Sequence, residues 1–267
     1  MKILIVGGGN MGLTYAKAFI NSHVVTRSQL MILEKTLSKT DDLKSLNVGE
    51  IYSDSSLCIS NADLIILAVK PQDFPQLMES IVKDVRPNQI FLSIMAGVKI
   101  STVCQGLNIS KVIRAMPNLP AQIGQGMTAF TATDAVSRHE QAMVQNLLST
   151  TGKTLYVEKE EMIDAVTAVS GSGPAYVYYF MDAMVKAAMQ MGFAKSEADL
   201  LVMQTFSGAI SLYQQSELSC DEWIQRVASK GGTTEAAIES FSQNKVSSLI
   251  GDGLHKAQDR AVELGKN

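Results

Sequence analysis

Two hydrophobic rhythms divide the chain. Up to about residue 157, short apolar runs alternate with amphipathic stretches: "KILIV", "LMILE", "DLIILAV", "QIFLSI", "KVIRAM", "MTAFTA" and "TLYVE". Runs of this kind between helical patterns predict a parallel sheet with helices on both faces, because a strand covered on both sides has no polar face to show. From about residue 160 the strand signals stop. Apolar positions recur there at helical spacing and predict helices over roughly 160–169, 173–192, 195–215, 219–229, 233–243 and 246–264. The charged run "EKEE", residues 158–161, separates the regimes and reads as a solvated junction, so two domains are expected, 1–158 and 159–267. The helical half is apolar on more than one helix face, as in "PAYVYYFMDAMVKAAM" and "DLLVMQTFSGAISLY". That is more than a small monomeric bundle hides, and the surplus predicts a homodimer or a higher homo-oligomer built from dimers.

The chemistry begins at the first turn. "VGGGNMG" sets Gly7, Gly9 and Gly12 in GxGxxG spacing between the strand "KILIV" and the helix pattern "MGLTYAKAFI". The first glycine permits the tight turn, the second lets a pyrophosphate approach the backbone, and the third lets helix and strand pack closely. With Asn10 and Met11 between them, they open a helix whose amino terminus faces the phosphates. Glu34 ends the second strand at the interval expected of a ribose-binding acid, and a dinucleotide is the predicted ligand. Two later strand exits lie where ligands of open parallel sheets bind: Ala68, Val69, Lys70 and Pro71 in "LAVKPQDF", and Met116, Pro117 and Asn118 in "IRAMPNLP". For both, lining of a nicotinamide pocket and an ordinary proline turn stand side by side.

In the helical half, Gly171, Ser172 and Gly173 precede Pro174, a residue suited to the first turn of a helix, and leave preceding N–H groups free to cradle an anion. At "KGGTTEAAIESF", Gly231 and Gly232 lead into Thr233 and Thr234 at a second helix start. Each taken alone reads as plain capping; together, beside a dinucleotide domain, they point to a small carboxylate bound by backbone donors.

Composition narrows the partners. With 267 residues and a formal net charge of −3, nothing in the overall charge draws the protein to nucleic acid or an anionic membrane, and a small molecule is the expected partner. Cys58, Cys104 and Cys220 are far apart and lack metal-ligand spacing, so neither a disulfide framework nor a metal site is expected, and a reducing cytoplasm fits. No run reaches the roughly 20 apolar residues of a membrane-spanning helix.

"VGGGNMG", "AVKPQ", "RAMPN", "SGSGPAY" and "KGGTTEAA", in this order and at these separations, resemble the pyrroline-5-carboxylate reductases over nearly the whole chain. The resemblance implies an α/β protein, an amino-terminal Rossmann-type doubly wound sheet followed by an all-helical dimerisation domain. It also implies NADPH or NADH as hydride donor and a substrate site at the dimer interface. The substrate would be a cyclic imine whose nitrogen is protonated before reduction, so a site of serine, glycine and threonine suffices without a strong acid. On that reading Ser172, Gly173, Gly231, Gly232 and Thr233 surround the carboxylate, and Thr234 offers its hydroxyl to the ring nitrogen as the catalytic residue. Where many relatives carry small polar or basic residues after the second strand, this chain has Glu34, Lys35 and Thr36, which leans the cofactor towards NADH.

Two rival functions are a hydroxyacid-dehydrogenase-like ketone reductase and a non-catalytic nucleotide-sensing protein. The first needs a proton donor early on the helix after the serine–glycine run, yet the first lysine there, Lys186, lies more than three turns in. The second has no need of "SGSGPAY" or "GGTTEAA". His23, His139 and His255 lie outside all motifs and read as surface or capping residues. The methionines of "MDAMVKAAMQMGF" read as core or subunit interface.

Overall fold

The computed structural model describes residues 1–265. Eight strands form one sheet: β1 (Ile3–Val6), β2 (Leu30–Leu33), β3 (Glu50–Tyr52), β4 (Leu64–Leu67), β5 (Ile90–Ser93), β6 (Val112–Met116), β7 (Gly126–Ala132) and β8 (Gly152–Tyr156). Their order is β3-β2-β1-β4-β5-β6-β7-β8. The chain leaves β1 towards one edge and returns on its other side as β4, which makes a topological switch point at the ends of these two strands.

The alternation inside each run sorts side chains to two cores. Ile3, Ile5, Ile32 and Ile66 point to one face, against Tyr15 and Phe19 of α1 (Asn10–Asn21). Leu4, Val6, Leu33 and Leu67 point to the other, against Phe74, Leu77 and Ile81 of α3 (Phe74–Ile81) and Val103 and Leu107 of α4 (Ile100–Leu107). The remaining helices of this half are α2 (Leu37–Leu46) and α5 (Arg138–Ser149), the latter opened by a capping box in which Ser137 and Glu140 satisfy each other's backbone N–H.

Two features depart from the periodic reading. The sheet is not wholly parallel: β7 runs antiparallel to β6, pairing Ile113 with Ala132 and Met116 with Ala129, and β8 is parallel to β7. Residues 117–125 hold only the 3-10 turn Leu119–Ile123, too little for a crossover, so the chain must reverse. The strand β3 has no counterpart among the sequence runs, since it is a three-residue edge strand, Glu-Ile-Tyr, with little apolar pattern to show.

After β8 come α6 (Glu161–Val166), a π turn (Thr167–Gly171), α7 (Gly173–Gln190), α8 (Lys195–Gln214), α9 (Cys220–Val227), α10 (Thr233–Gln243) and α11 (Val246–Leu264). These bounds follow the helical spacing of the sequence closely. The strands end at Tyr156, near the expected boundary, but the compact units are Met1–Pro174 with Ala257–Asn267, and Ala175–Lys256. The shift arises because α6 stays with the sheet, where Ile163 packs with Met116 and Ala129. The end of α11 belongs to the first unit too: a Cβ on Gly97, whose φ is +75°, would lie 2.7 Å from Leu264 Cβ.

In the second unit only Ala198 and Val202 are buried among the described residues. Tyr179, Met191, Val227 and Leu249 are each more than 60% exposed, at 72, 78, 65 and 63%. Met184 and Met189 are open as well, so of the two readings of the methionine run, burial in this unit's own core is not what the fold shows. Among the described residues no helix is long and apolar enough to cross a membrane.

Candidate active site

At the switch point each glycine has a distinct reason. Gly7 takes φ +105°, and a Cβ there would meet the Ala68 carbonyl at 2.8 Å. A Cβ on Gly12 would fall on the Gly7 carbonyl oxygen, so the helix could not close on the turn. Around Gly9 a Cβ would meet nothing within 4 Å; the backbone is open to an approaching group there, as a pyrophosphate requires. Gly9 is also the N-cap of α1 and has no side chain to cap with, so among the described residues no side chain caps the helix's first N–H groups. Asn10 is exposed at this mouth, while Met11 packs on the core and can offer a ligand only its backbone.

Glu34 follows β2 and turns inward. Its Oε2 accepts from Gly8 N–H at 3.0 Å and its Oε1 from Thr36 N–H at 2.9 Å. The carboxylate therefore faces the glycine turn and not solvent. It lines a cavity of about 310 Å³ with Gly7, Gly9, Ala68, Val69 and Lys70. Pro71 stands outside it and starts the 3-10 turn Pro71–Asp73 that leads into α3.

The β6 exit is built differently from its first reading. Met116 is 6% exposed and belongs to the core, and Pro117 follows it out of the strand. Asn118 is engaged with the protein: its Nδ2 donates to the Ser170 carbonyl at 3.2 Å and lies 3.3 Å from Ser170 Oγ, and its Oδ1 accepts from Met127 N–H at 2.9 Å. Ser170 belongs to the π turn that precedes α7. Here the anion-cradle reading needs correction, because Ser172 N–H is not free; it donates to the Thr167 carbonyl at 2.9 Å to close the widened turn. Gly173 begins α7, with Pro174 in its first turn.

Beneath this turn lies a cluster absent from the sequence reading. Arg114, in mid-β6 and 1% exposed, donates to Glu160 at 3.0 Å and Asp164 at 2.5 Å. Glu160 Oε1 also accepts from Ile100 N–H at 2.8 Å, at the start of α4. The run "EKEE" is thus not wholly solvated: Glu158, Lys159 and Glu161 are exposed, but Glu160 serves a buried cation. The signal was an arginine inside an apolar run, since a charge in a buried strand needs carboxylate partners.

In the second unit, Gly231 takes φ +72° and its N–H donates to Glu235 Oε2 at 2.6 Å. Gly232 donates to the Ser229 carbonyl at 2.9 Å and is itself the N-cap of α10. Neither threonine caps: Thr233 and Thr234 are the first two helical residues, and their hydroxyls have no hydrogen-bond partner among the described residues. Glu235 was not singled out by sequence, and it holds the left-handed glycine turn in shape. His23, His139 and His255 are all exposed and apart from these features.

Comparison with known proteins adds to this geometry. Residues 160–264 match the family profile described as pyrroline-5-carboxylate reductase dimerisation, and residues 2–97 match that of NADP oxidoreductase, coenzyme F420-dependent. A pyrroline-5-carboxylate reductase of Pseudomonas aeruginosa is 32% identical over 266 residues, 99% of this chain and 97% of that protein. The solved pyrroline-5-carboxylate reductase of Coxiella burnetii aligns with a TM-score of 0.90 at 30% identity, covering 100% of this chain and 99% of that one. A Plasmodium falciparum pyrroline carboxylate reductase with NADP bound shares the fold, with a TM-score of 0.89 at 23% identity over 99% of this chain and 98% of that one.

Proposed function

The chain belongs to the pyrroline-5-carboxylate reductase family, and from that membership we propose how its own residues carry the family's reaction, the reduction of L-1-pyrroline-5-carboxylate to L-proline. The protein is an NAD(P)-dependent oxidoreductase of the last step of proline synthesis. The open backbone at Gly9 and the uncapped start of α1 fit a dinucleotide pyrophosphate, with Gly7 and Gly12 shaping the turn and Asn10 at its mouth. Glu34 faces the adenine ribose, and the exits of β4, through Ala68–Pro71, and of β6, through Pro117, flank the nicotinamide, with Met116 and Asn118 supporting the second exit from inside the protein. When bound, the cofactor supplies a hydride to the imine carbon.

What remains for the protein is to bind and orient. The hydroxyls of Ser172 and Thr233 hold the ring carboxylate, Gly173, Gly231 and Gly232 shape the two helix starts that present them, and the Thr234 hydroxyl meets the ring nitrogen, which carries the proton. The observation that supports this reading is the open first turn of α10. Gly231 and Gly232 donate within their own loop, the Glu235 carboxylate is closed onto Gly231, and the two threonine hydroxyls stand without partners among the described residues. A helix start of this kind favours an anion, and a hydroxyl can serve an imine nitrogen where a ketone would demand an acid.

Of NADPH and NADH we assign a moderate preference for NADH. Glu34 keeps lone pairs for ribose hydroxyls beyond those facing Gly8 and Thr36, and a 2′-phosphate would meet its charge, with Lys35 and Lys39 offsetting part of the repulsion. The protein is a homo-oligomer, and we assign its contact to Ala175–Lys256, whose exposed apolar side chains need cover. The free cysteines Cys58, Cys104 and Cys220 suit a reducing compartment, the cytoplasm.

The test is oxidation of NADH or NADPH by purified protein given the cyclic imine. Thr234→Ala should lower kcat about 10- to 1000-fold with the cofactor KM little changed. Near-normal turnover removes that role from Thr234. Absence of turnover on the imine, with turnover on a 2-keto acid, favours the ketone reductase instead.

A further inference from the structure

We propose that Asn118 is a positioning residue, which locks the substrate-side serine–glycine turn to the cofactor-side exit of β6. The proposal rests on the reductase reading for its functional meaning, while the lock itself stands on geometry. The orientation of the Asn118 amide is dictated by its neighbours. Met127 N–H can only meet an oxygen, at 2.9 Å, so the NH₂ group must face Ser170, whose carbonyl lies at 3.2 Å and whose Oγ at 3.3 Å. One side chain therefore joins three segments: the β6 exit, the start of β7 and the π turn.

The π turn needs such support. A π segment is wider than an α turn and poorer in regular hydrogen bonding, so it persists where the surroundings hold it. Here the turn is closed internally by Ser172 N–H on the Thr167 carbonyl and by the Thr167 hydroxyl on the Ile163 carbonyl at 2.8 Å. Two polar ties from β6 and the residues just after it add to this. Arg114 in β6 holds Glu160 and Asp164 at the beginning of α6, and Asn118, four residues further along the chain, holds Ser170 at the end of the turn. Gly171, next to Ser170, packs over Met116, which lies between Arg114 and Asn118, close enough that a Cβ on it would lie 3.4 Å from the sulfur. The segment that presents Ser172 and Gly173 is thereby set in height against the exit of β6. Misplacement by about 1 Å at a reacting centre can cost on the order of 100-fold.

A purely structural role, closure of the β6–β7 connection through Met127, makes a different prediction, and Asn118→Asp separates the two. The carboxylate still accepts from Met127 N–H but turns an acceptor towards the Ser170 carbonyl. Ser170→Ala, which leaves the carbonyl in place, is the milder second variant. In both, kcat/KM for the imine, KM for the cofactor and amide exchange at Met127 and Ser172 would be measured. For Asn118→Asp we expect kcat/KM for the imine to fall about 10- to 100-fold, with cofactor KM within about twofold. Exchange at Ser172 N–H should quicken about tenfold or more, while that at Met127 stays near wild type. Ser170→Ala should move the same quantities in the same direction by less. A cofactor KM rising in step with the loss would make Asn118 a cofactor contact, and unchanged Ser172 exchange would dissolve the lock; either overturns the proposal, as does Met127 exchange rising with Ser172's. If the wild-type protein does not reduce the imine, the reductase reading fails while the exchange data still decide the lock.

Discussion

Cutting Asp164 back to alanine should destabilise the first unit severely, and the structure says by how much relative to its neighbours. Arg114 is fully buried, and Asp164, with a side chain 10% exposed, is the better shielded of its two carboxylates; Glu160 is 28% exposed. Removing one partner of a buried pair leaves an uncompensated charge, worth about 3–5 kcal/mol. Glu160 keeps part of that charge balanced, so about 3 kcal/mol is expected for Asp164→Ala, or roughly 6–12 °C in Tm for a unit of this size. Glu160→Ala loses the more solvated ion pair and the acceptor for Ile100 N–H, for about 1–2 kcal/mol. Arg114 Nε has no partner among the described residues, so the cation is incompletely satisfied even in the native protein. The pair replacement Arg114→Met with Asp164→Leu should therefore lie within about 1 kcal/mol of wild type. Urea and thermal unfolding, at one protein concentration because subunit association feeds into stability, would measure all three. An Asp164→Ala variant within 1 kcal/mol of wild type, or a double variant as unstable as the single one, would refute the reasoning.

Glu140 is drawn down to about 2 from its ordinary 4.5, first by the hydrogen bond from Lys111 and then by the Ser137 N–H and hydroxyl. A depressed carboxyl stabilises above its unfolded value and loses that contribution as pH falls from about 4.5 to 2, so Glu140→Gln should flatten this part of an acid-unfolding curve by about 1–2 kcal/mol, discounted for partial exposure; an unchanged curve counts against it. Glu34→Ser should shift the ratio of kcat/KM for NADH over NADPH towards NADPH by about tenfold or more at fixed salt. A wild-type preference for NADPH that the substitution leaves alone would show that this carboxylate is not the selector. Sedimentation at low micromolar concentration should show a dimer or larger species, and an active, folded monomer would disprove the need to cover Tyr179, Leu249 and their neighbours.

Much of this architecture is local and so is written in the chain. The runs around Ile3–Val6 and Leu64–Leu67 are apolar because both faces are buried, and Gly12 is required by its close contact with the Gly7 carbonyl five residues earlier, although Gly7 itself is confined by Ala68 at the exit of the neighbouring strand. Helix bounds such as Thr233–Gln243 and Val246–Leu264 track the side-chain period. Even the surplus of exposed apolar surface on the helical half is legible, since its helices carry apolar residues on several faces.

Direction and partnership are another matter. Nothing in "MTAFTA" says that β7 runs against β6, because a strand's period is the same either way; the short link through residues 117–125 decides it only once β6 has its place in the sheet. Arg114 shows that carboxylates must be near, but Glu160 and Asp164 lie 46 and 50 residues away, brought there by α6 settling on the sheet. The inward turn of Glu34 onto Gly8 and the aim of the Asn118 amide at Ser170 are likewise bonds across 26 and 52 residues. Side-chain periodicity carries burial and local hydrogen bonding from the chain itself, whereas the choice among distant polar partners waits for the packed sheet to bring them within about 3 Å.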